Sequence, residues 1–165
     1  TTALVALGAV GLLGGCGFEA RQQGAAVVNG EVIHESQVEE TARQLREAQF
    51  DFPENIVVTA LVASPLLHDA VRESGSWVPD ATYASAVAAI PDATETTKEF
   101  ISAVALLQSA RMTEADTERY RASLDKANIT VNPRFGQINR SEEGPLFFTI
   151  GQKQPNWIVA PAAGQ

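Results

Sequence analysis

Cys16 is the only cysteine of the chain, and it is the residue on which the sequence most plainly places chemistry. It follows Leu13-Gly14-Gly15, and the unbroken apolar run Ala3–Leu13 precedes it. That run is too short to span a bilayer as a helix and suits the apolar core, roughly 7–15 residues, of a secretory signal. Small residues at 14 and 15 let a peptidase reach an extended backbone before Cys16, and the residues after it turn polar at once. The implied chemistry is attachment of a lipid to the thiol and cleavage on its N-terminal side. A lone cysteine has no internal disulfide partner, which fits a thiol kept for that use. The bland alternative is a small buried hydrophobe in a core helix. Thr1 is neither an initiating Met nor part of a basic leader, so the sequence reads as an N-terminal fragment.

Other reactive side chains are poorly placed for catalysis. His34 and His68 have no second histidine at metal-ligand spacing, so a zinc site is not expected. His68-Asp69 with Glu73 could suggest acid–base chemistry, but a solvated helix face explains that trio better. No Gly-x-Ser-x-Gly elbow, phosphate loop or dinucleotide fingerprint is present, so no catalytic residue, metal or cofactor is expected. Arg134 stands between Pro133 and Phe135 and could bind a carboxylate or stack on a ring. The structural expectation is that Pro133 fixes the chain, Phe135 packs inward, and Arg134 pairs with an acidic helix end.

A domain must position these residues. The composition is globular, 45% hydrophobic and 19% charged, and the net charge is −8. Phosphate contacts need clustered Lys and Arg, which are missing, so nucleic acid is not an expected partner. With residues 1–15 set aside as signal, residues 16–25 read as a tether, 26–139 as one folded domain and 140–165 as a tail. Ala26-Val27-Val28 and Glu31-Val32-Ile33 flank Asn29-Gly30, the strongest short hairpin signal, because both turn residues tolerate positive φ. Ser36 with Glu39 reads as a capping box for a helix carrying Val38, Ala42 and Leu45 inward, through about Phe50.

Asp51-Phe52-Pro53 breaks that helix and starts another. From Ile56 to Val71 apolar residues cover nearly every side, as in a helix buried at a bundle's centre. Pro65 is expected to kink or divide it near Ser64. Gly75 is a candidate C-cap and Asp80 an N-cap for a helix carrying Tyr83, Val87 and Ile90. A fourth helix, from Thr94–Thr96 to about Arg111, presents Phe100, Val104 and Leu107. A fifth follows Thr113, with Tyr120, Leu124 and Ala127 on its core side. Ile129-Thr130-Val131 is a short strand, and Leu146–Ile150 a candidate one. The fold class is thus mainly α, a bundle of about five helices with a short β hairpin. Trp157, in the proline-spaced end of the chain, is a candidate to dock on the bundle.

The runs "AAVVNGEVIHESQVEETARQL", "TALVASPLLHDAVRESGSWVPDATYASAV" and "NITVNPRFGQIN" resemble the N-terminal chaperone domain of SurA-type and PpiC-type foldases, over about residues 26 to 139. More narrowly, the chain is similar to SurA-N-like lipoproteins of actinobacteria, and Leu13–Cys16 resembles the lipobox that directs lipidation of Cys16. The turn at Trp77-Val78-Pro79 departs from the family's usual loop. Too few residues follow Gly136 for a parvulin isomerase domain. The resemblance implies short β pairing of the N- and C-terminal segments, in a non-enzymatic lipoprotein held through Cys16 on the extracytoplasmic face of the cell membrane. Its partners would be unfolded or newly exported polypeptides, bound by apolar contact. The alternative is an adaptor lipoprotein that binds one defined envelope partner.

Overall fold

The computed structural model describes residues 24–108, 111–142 and 144–152. The expectations for Cys16, its apolar leader and Trp157 lie outside the described residues. Among the described residues five helices and five short strands form a mainly helical bundle with small antiparallel strand pairs.

Strand β1 (Gly24–Val28) turns through Asn29 and Gly30, at φ of 51° and 94°, into β2 (Glu31–His34). The left-handed pair matches the right-handed twist of the strands it joins. Strand β3 (Ile129–Val131) lies on the other side of β1, antiparallel, with Ala26 opposite Val131 and Val28 opposite Ile129. The sheet order is therefore β2-β1-β3. A second antiparallel pair, β4 (Gln137–Arg140) and β5 (Phe148–Gly151), sets Ile138 opposite Ile150.

Helix α1 (Glu35–Glu47) starts directly after β2, one residue ahead of Ser36. The cap is His34, whose N–H donates to Gln37 Oε1 at 2.8 Å, so the Ser36–Glu39 capping box is corrected to His34–Gln37. With no loop between strand and helix, the first non-helical residue is the last residue of β2. Val38, Ala42 and Leu45 are buried on the inner face as their spacing predicts.

Helix α2 (Glu54–Val71) is the centre of the bundle, packing against α1, β1, β5 and the later helices α4 (Glu95–Gln108) and α5 (Glu114–Lys126). It stays continuous through Pro65, so of the expected kink or division near Ser64 the division does not occur. The Pro65 ring is on the exposed side, while Leu61, Val62, Ala63, Leu66 and Leu67 are buried around it. Packing of so many apolar side chains outweighs one missing backbone bond.

Helix α3 (Ala81–Ala88) is short, and none of its residues is buried. Asp80 caps it, with Oδ1 accepting from the Tyr83 N–H at 2.9 Å. Helix α5 carries a complete capping box: the Asp116 N–H donates to Thr113 Oγ1 at 3.1 Å and the Thr113 N–H to Asp116 Oδ2 at 2.9 Å. Strand β5 is fastened to α2. Asn55 Nδ2 donates to the Ile150 carbonyl at 2.9 Å, and the Ile150 N–H donates to Thr59 Oγ1 at 3.1 Å.

Candidate functional site

Among the described residues an apolar groove of about 440 Å³ opens on one side of the bundle. Leu45 from α1 lines it, with Phe50 and Phe52 from the connection after it, Tyr83 and Ala86 from α3, and Ile90 just beyond. Phe100, Ile101 and Val104 of α4 form the floor. Phe52 meets Phe100 edge to face at 5.3 Å and 64°, an arrangement aromatic quadrupoles favour. Phe50 stands at the rim with 43% of its surface exposed, one of few large apolar side chains so placed among the described residues. Grooves of this size with few polar groups suit apolar ligands or side chains.

Asp80, the charged residue of the groove lining, is already committed. Besides capping α3, Asp80 accepts from Arg111 Nη2 at 3.0 Å. The α1–α4 junction behind the groove is held by a buried polar knot. Gln44 Oε1 lies 2.7 Å from the Thr97 hydroxyl and accepts from the Thr94 N–H at 3.2 Å, while Gln44 Nε2 donates to the Asp92 carbonyl at 3.0 Å. The Thr97 hydroxyl is also 3.2 Å from Thr41 Oγ1. Buried polar groups satisfied in this way fix one relative placement of two helices. The groove can therefore hold apolar surface against a rigid floor, and it presents no nucleophile aligned with a base.

His68 is not on a solvated face as expected, whereas Asp69 and Glu73 are exposed. Its ring is half-buried, edge to face with Trp77 at 5.7 Å, and Nε2 lies 2.9 Å from Ser102 Oγ. Ser102 gives its one hydroxyl proton to the Glu99 carbonyl at 2.8 Å, so His68 Nε2 carries the hydrogen and donates. Burial holds the His68 pKa below its ordinary value, with Asp69 opposing. Glu31 and Glu99 line the same shallow cleft as His68, and burial, aided by Glu31 and Glu95, pushes the Glu99 carboxyl up. Among the described residues no group of three or more His, Cys, Asp or Glu could hold a metal ion.

Arg134 is an ion-pair centre. It donates to Glu35 at 2.7 Å and Glu39 at 3.1 Å in the first turns of α1, and lies 3.6 Å from Glu54 at the start of α2. Phe135 beside it is buried. These contacts tie the β3–β4 turn to two helix ends and leave Arg134 structural.

The family model for the plant-specific mitochondrial import receptor subunit TOM20 matches residues 29–155. The chain belongs to this TOM20 family. No curated protein and no solved structure matches it. The matched stretch contains the whole groove and every described helix.

Membership of the TOM20 family overturns the resemblance to SurA-type foldases and actinobacterial SurA-N-like lipoproteins. The expectations that rested on it are corrected with it: a signal-bearing lipoprotein chaperone or envelope adaptor, newly exported polypeptides as clients, and a lipid-anchored place on the extracytoplasmic face of a bacterial membrane. The physical reason lies in the motifs. "VNGE" is the Asn29-Gly30 turn that any tight hairpin uses. "NPRFG" is a turn in which the Arg134 N–H donates to Asn132 Oδ1 at 3.0 Å, followed by a glycine forced by close strand packing. Both report local turn chemistry, which unrelated folds share. Among the described residues no helix is long and apolar enough to cross a membrane.

The sequence marks Leu45, Tyr83, Ile90, Phe100 and Val104 only as inner-face residues and does not join them into a groove. The available signal was Phe50-Asp51-Phe52-Pro53, two aromatics at a helix break where one suffices to pack a turn.

Proposed function

We propose that this protein is a receptor-type binding module of mitochondrial import, and that its groove takes the apolar face of an incoming polypeptide segment. The observation that carries the reading is the open apolar groove with the exposed Phe50 at its rim, inside the stretch matched by the TOM20 family model. An amphipathic segment lays its apolar side chains into such a groove and keeps its polar face in water. Binding of this kind makes no covalent bond, so the role is non-enzymatic. The rigid floor of Phe100, Ile101 and Val104 lowers the ordering cost of binding.

Fluorescence anisotropy with a labelled amphipathic mitochondrial targeting peptide tests the reading. Phe50→Ser and Ala86→Glu alter half-exposed groove positions without opening the core, and each is expected to weaken binding about tenfold. Absence of binding by the unaltered protein, or equal affinity in both variants, would overturn it.

A further inference from the structure

The two walls of the groove are built differently. The floor and the α1 side are packed on the buried helix α2 and locked by the Gln44–Thr97 knot. The α3 side is a span strung between two polar clamps. At its start the Ser76 hydroxyl donates to Asp116 Oδ2 on α5 at 2.8 Å. At its end Gln44 holds the Asp92 carbonyl and the Thr94 N–H. From Trp77 to Pro91 only Ile90 is buried. The chain leaves the span at Asp92 with φ of 54°, a left-handed conformation that a non-glycine residue adopts at a cost.

Beyond the packing of Tyr83, Ala86 and Val87 on the core and on α4, two ties hold α3 inward. One is the half-exposed pair of Asp80 with Arg111, which also reaches the Val78 carbonyl at 3.4 Å. Exposed pairs of this kind contribute little. The other is aromatic: Tyr83 of the groove wall meets Trp77 edge to face at 5.5 Å and 87°, and Trp77 meets His68 of α2 at 5.7 Å and 74°. Trp77 thus bridges the α3 wall to the central helix.

We infer that α3 is a yielding wall, hinged at the Ser76 and Asp92 clamps, which sets the width of the groove, and that Trp77 between His68 and Tyr83 is its latch. Segments with few buried contacts open locally at a small fraction of the global unfolding cost. A wall of this kind lets one groove accept apolar side chains of different sizes. As control of access to the groove, the device rests on the binding reading above, but its motion is measured without any ligand.

Amide hydrogen exchange on the full chain is the test. The Val87–Ala89 amides at the end of α3 are expected to exchange well ahead of the Val62–Ala70 amides of α2. Trp77→Leu should speed exchange in α3 roughly twofold to tenfold, the weight of an aromatic pair, and leave α2 and α4 unchanged. Arg111→Gln, a surface change that cannot disturb the core, should act in the same direction more weakly. Protection of α3 equal to that of α2, or acceleration of every helix together by Trp77→Leu, would overturn the inference. If α3 opens as described but no targeting peptide binds, the binding reading falls and the hinged wall stands.

Discussion

Gly136 lies against Gly151 so closely that a Cβ at Gly136 would sit 2.5 Å from the carbonyl carbon and oxygen of Gly151. The contact joins the entry of β4 to the end of β5, opposite each other in the register Gln137 with Gly151. Gly136 also has φ of 118°, where an L side chain is strained. Both demands point to glycine, and neither neighbour is a flexible side chain that could give way. Gly136→Ala is therefore expected to lower stability by about 3 kcal/mol, the order for forced overpacking. The midpoint of urea unfolding reports it, and an unchanged midpoint would show that the strand pair can shift.

The strand β5 depends on a second contact. Thr59 Oγ1 accepts the Ile150 N–H at 3.1 Å and donates to the Asn55 carbonyl at 2.6 Å. Thr59 and Ile150 are both buried. Thr59→Val keeps the shape and removes the acceptor, leaving a buried N–H unpaired at a cost of about 2 kcal/mol. Faster exchange of the Ile150 amide should accompany the loss. Full stability in Thr59→Val would mean that water replaces the hydroxyl.

Where local chemistry decides the structure, it was legible in the sequence: the Asn29-Gly30 turn, the Asp80 cap, the helix start after Thr113, and the inner faces of the helices. The start of α1 was misread because Ser36 and Glu39 satisfy the capping pattern, but β2 runs straight into the helix and leaves His34 to cap it. Pro65 was expected to kink or divide α2, and tertiary packing keeps the helix undivided. Thr41, Gln44 and Thr97 look like surface residues in the sequence, because their burial depends on one another across two helices. The groove was invisible for the same reason: Phe50, Tyr83, Ile90 and Phe100 come from separate elements, and no spacing rule connects them.

Asp116 is a buried carboxylate held in its charged form. Its carboxylate is fully buried, and it accepts from the Thr113 N–H, the Ser76 hydroxyl and, at 2.6 Å, Arg119 Nη2. Burial alone would push its pKa up, but the Thr113 N–H and the Ser74, Ser76 and Thr113 hydroxyls hold it well below the usual carboxylate range. The folded value is lower than the unfolded one, so the contribution to stability is present above the unfolded pKa, near 3.8, and is lost as pH falls through the folded value. Asp116→Asn should cost about 2 kcal/mol at neutral pH and flatten the loss of stability below about pH 4. Urea unfolding across that range checks both, and an equal acid loss in the variant would assign the effect to other carboxylates.

His68 acts in a higher window. Burial depresses its pKa and Asp69 opposes, so the unfolded chain binds a proton that the folded chain resists. Stability from the neutral ring is full above the unfolded value of 6.5 and declines as pH falls below it towards the folded value. The facing groups are Ser102 and Glu99 on α4, Glu31 on β2 and Trp77 on the loop before α3. Glu99, whose pKa burial raises, has the opposite sign: it stabilises the fold below its unfolded value and loses that effect as pH rises. The two are separated by His68→Gln, which keeps a donor for Ser102 and cannot titrate. Between neutral pH and about pH 5, thermal unfolding of the unaltered protein should show a decline that His68→Gln reduces. Because Trp77 rests on this ring, the protection of α3 relative to the intrinsic exchange rate at each pH should fall over the same interval in the unaltered protein only. The same slope in both proteins would show that His68 stays unprotonated throughout, with Glu99 and its neighbours carrying the pH dependence.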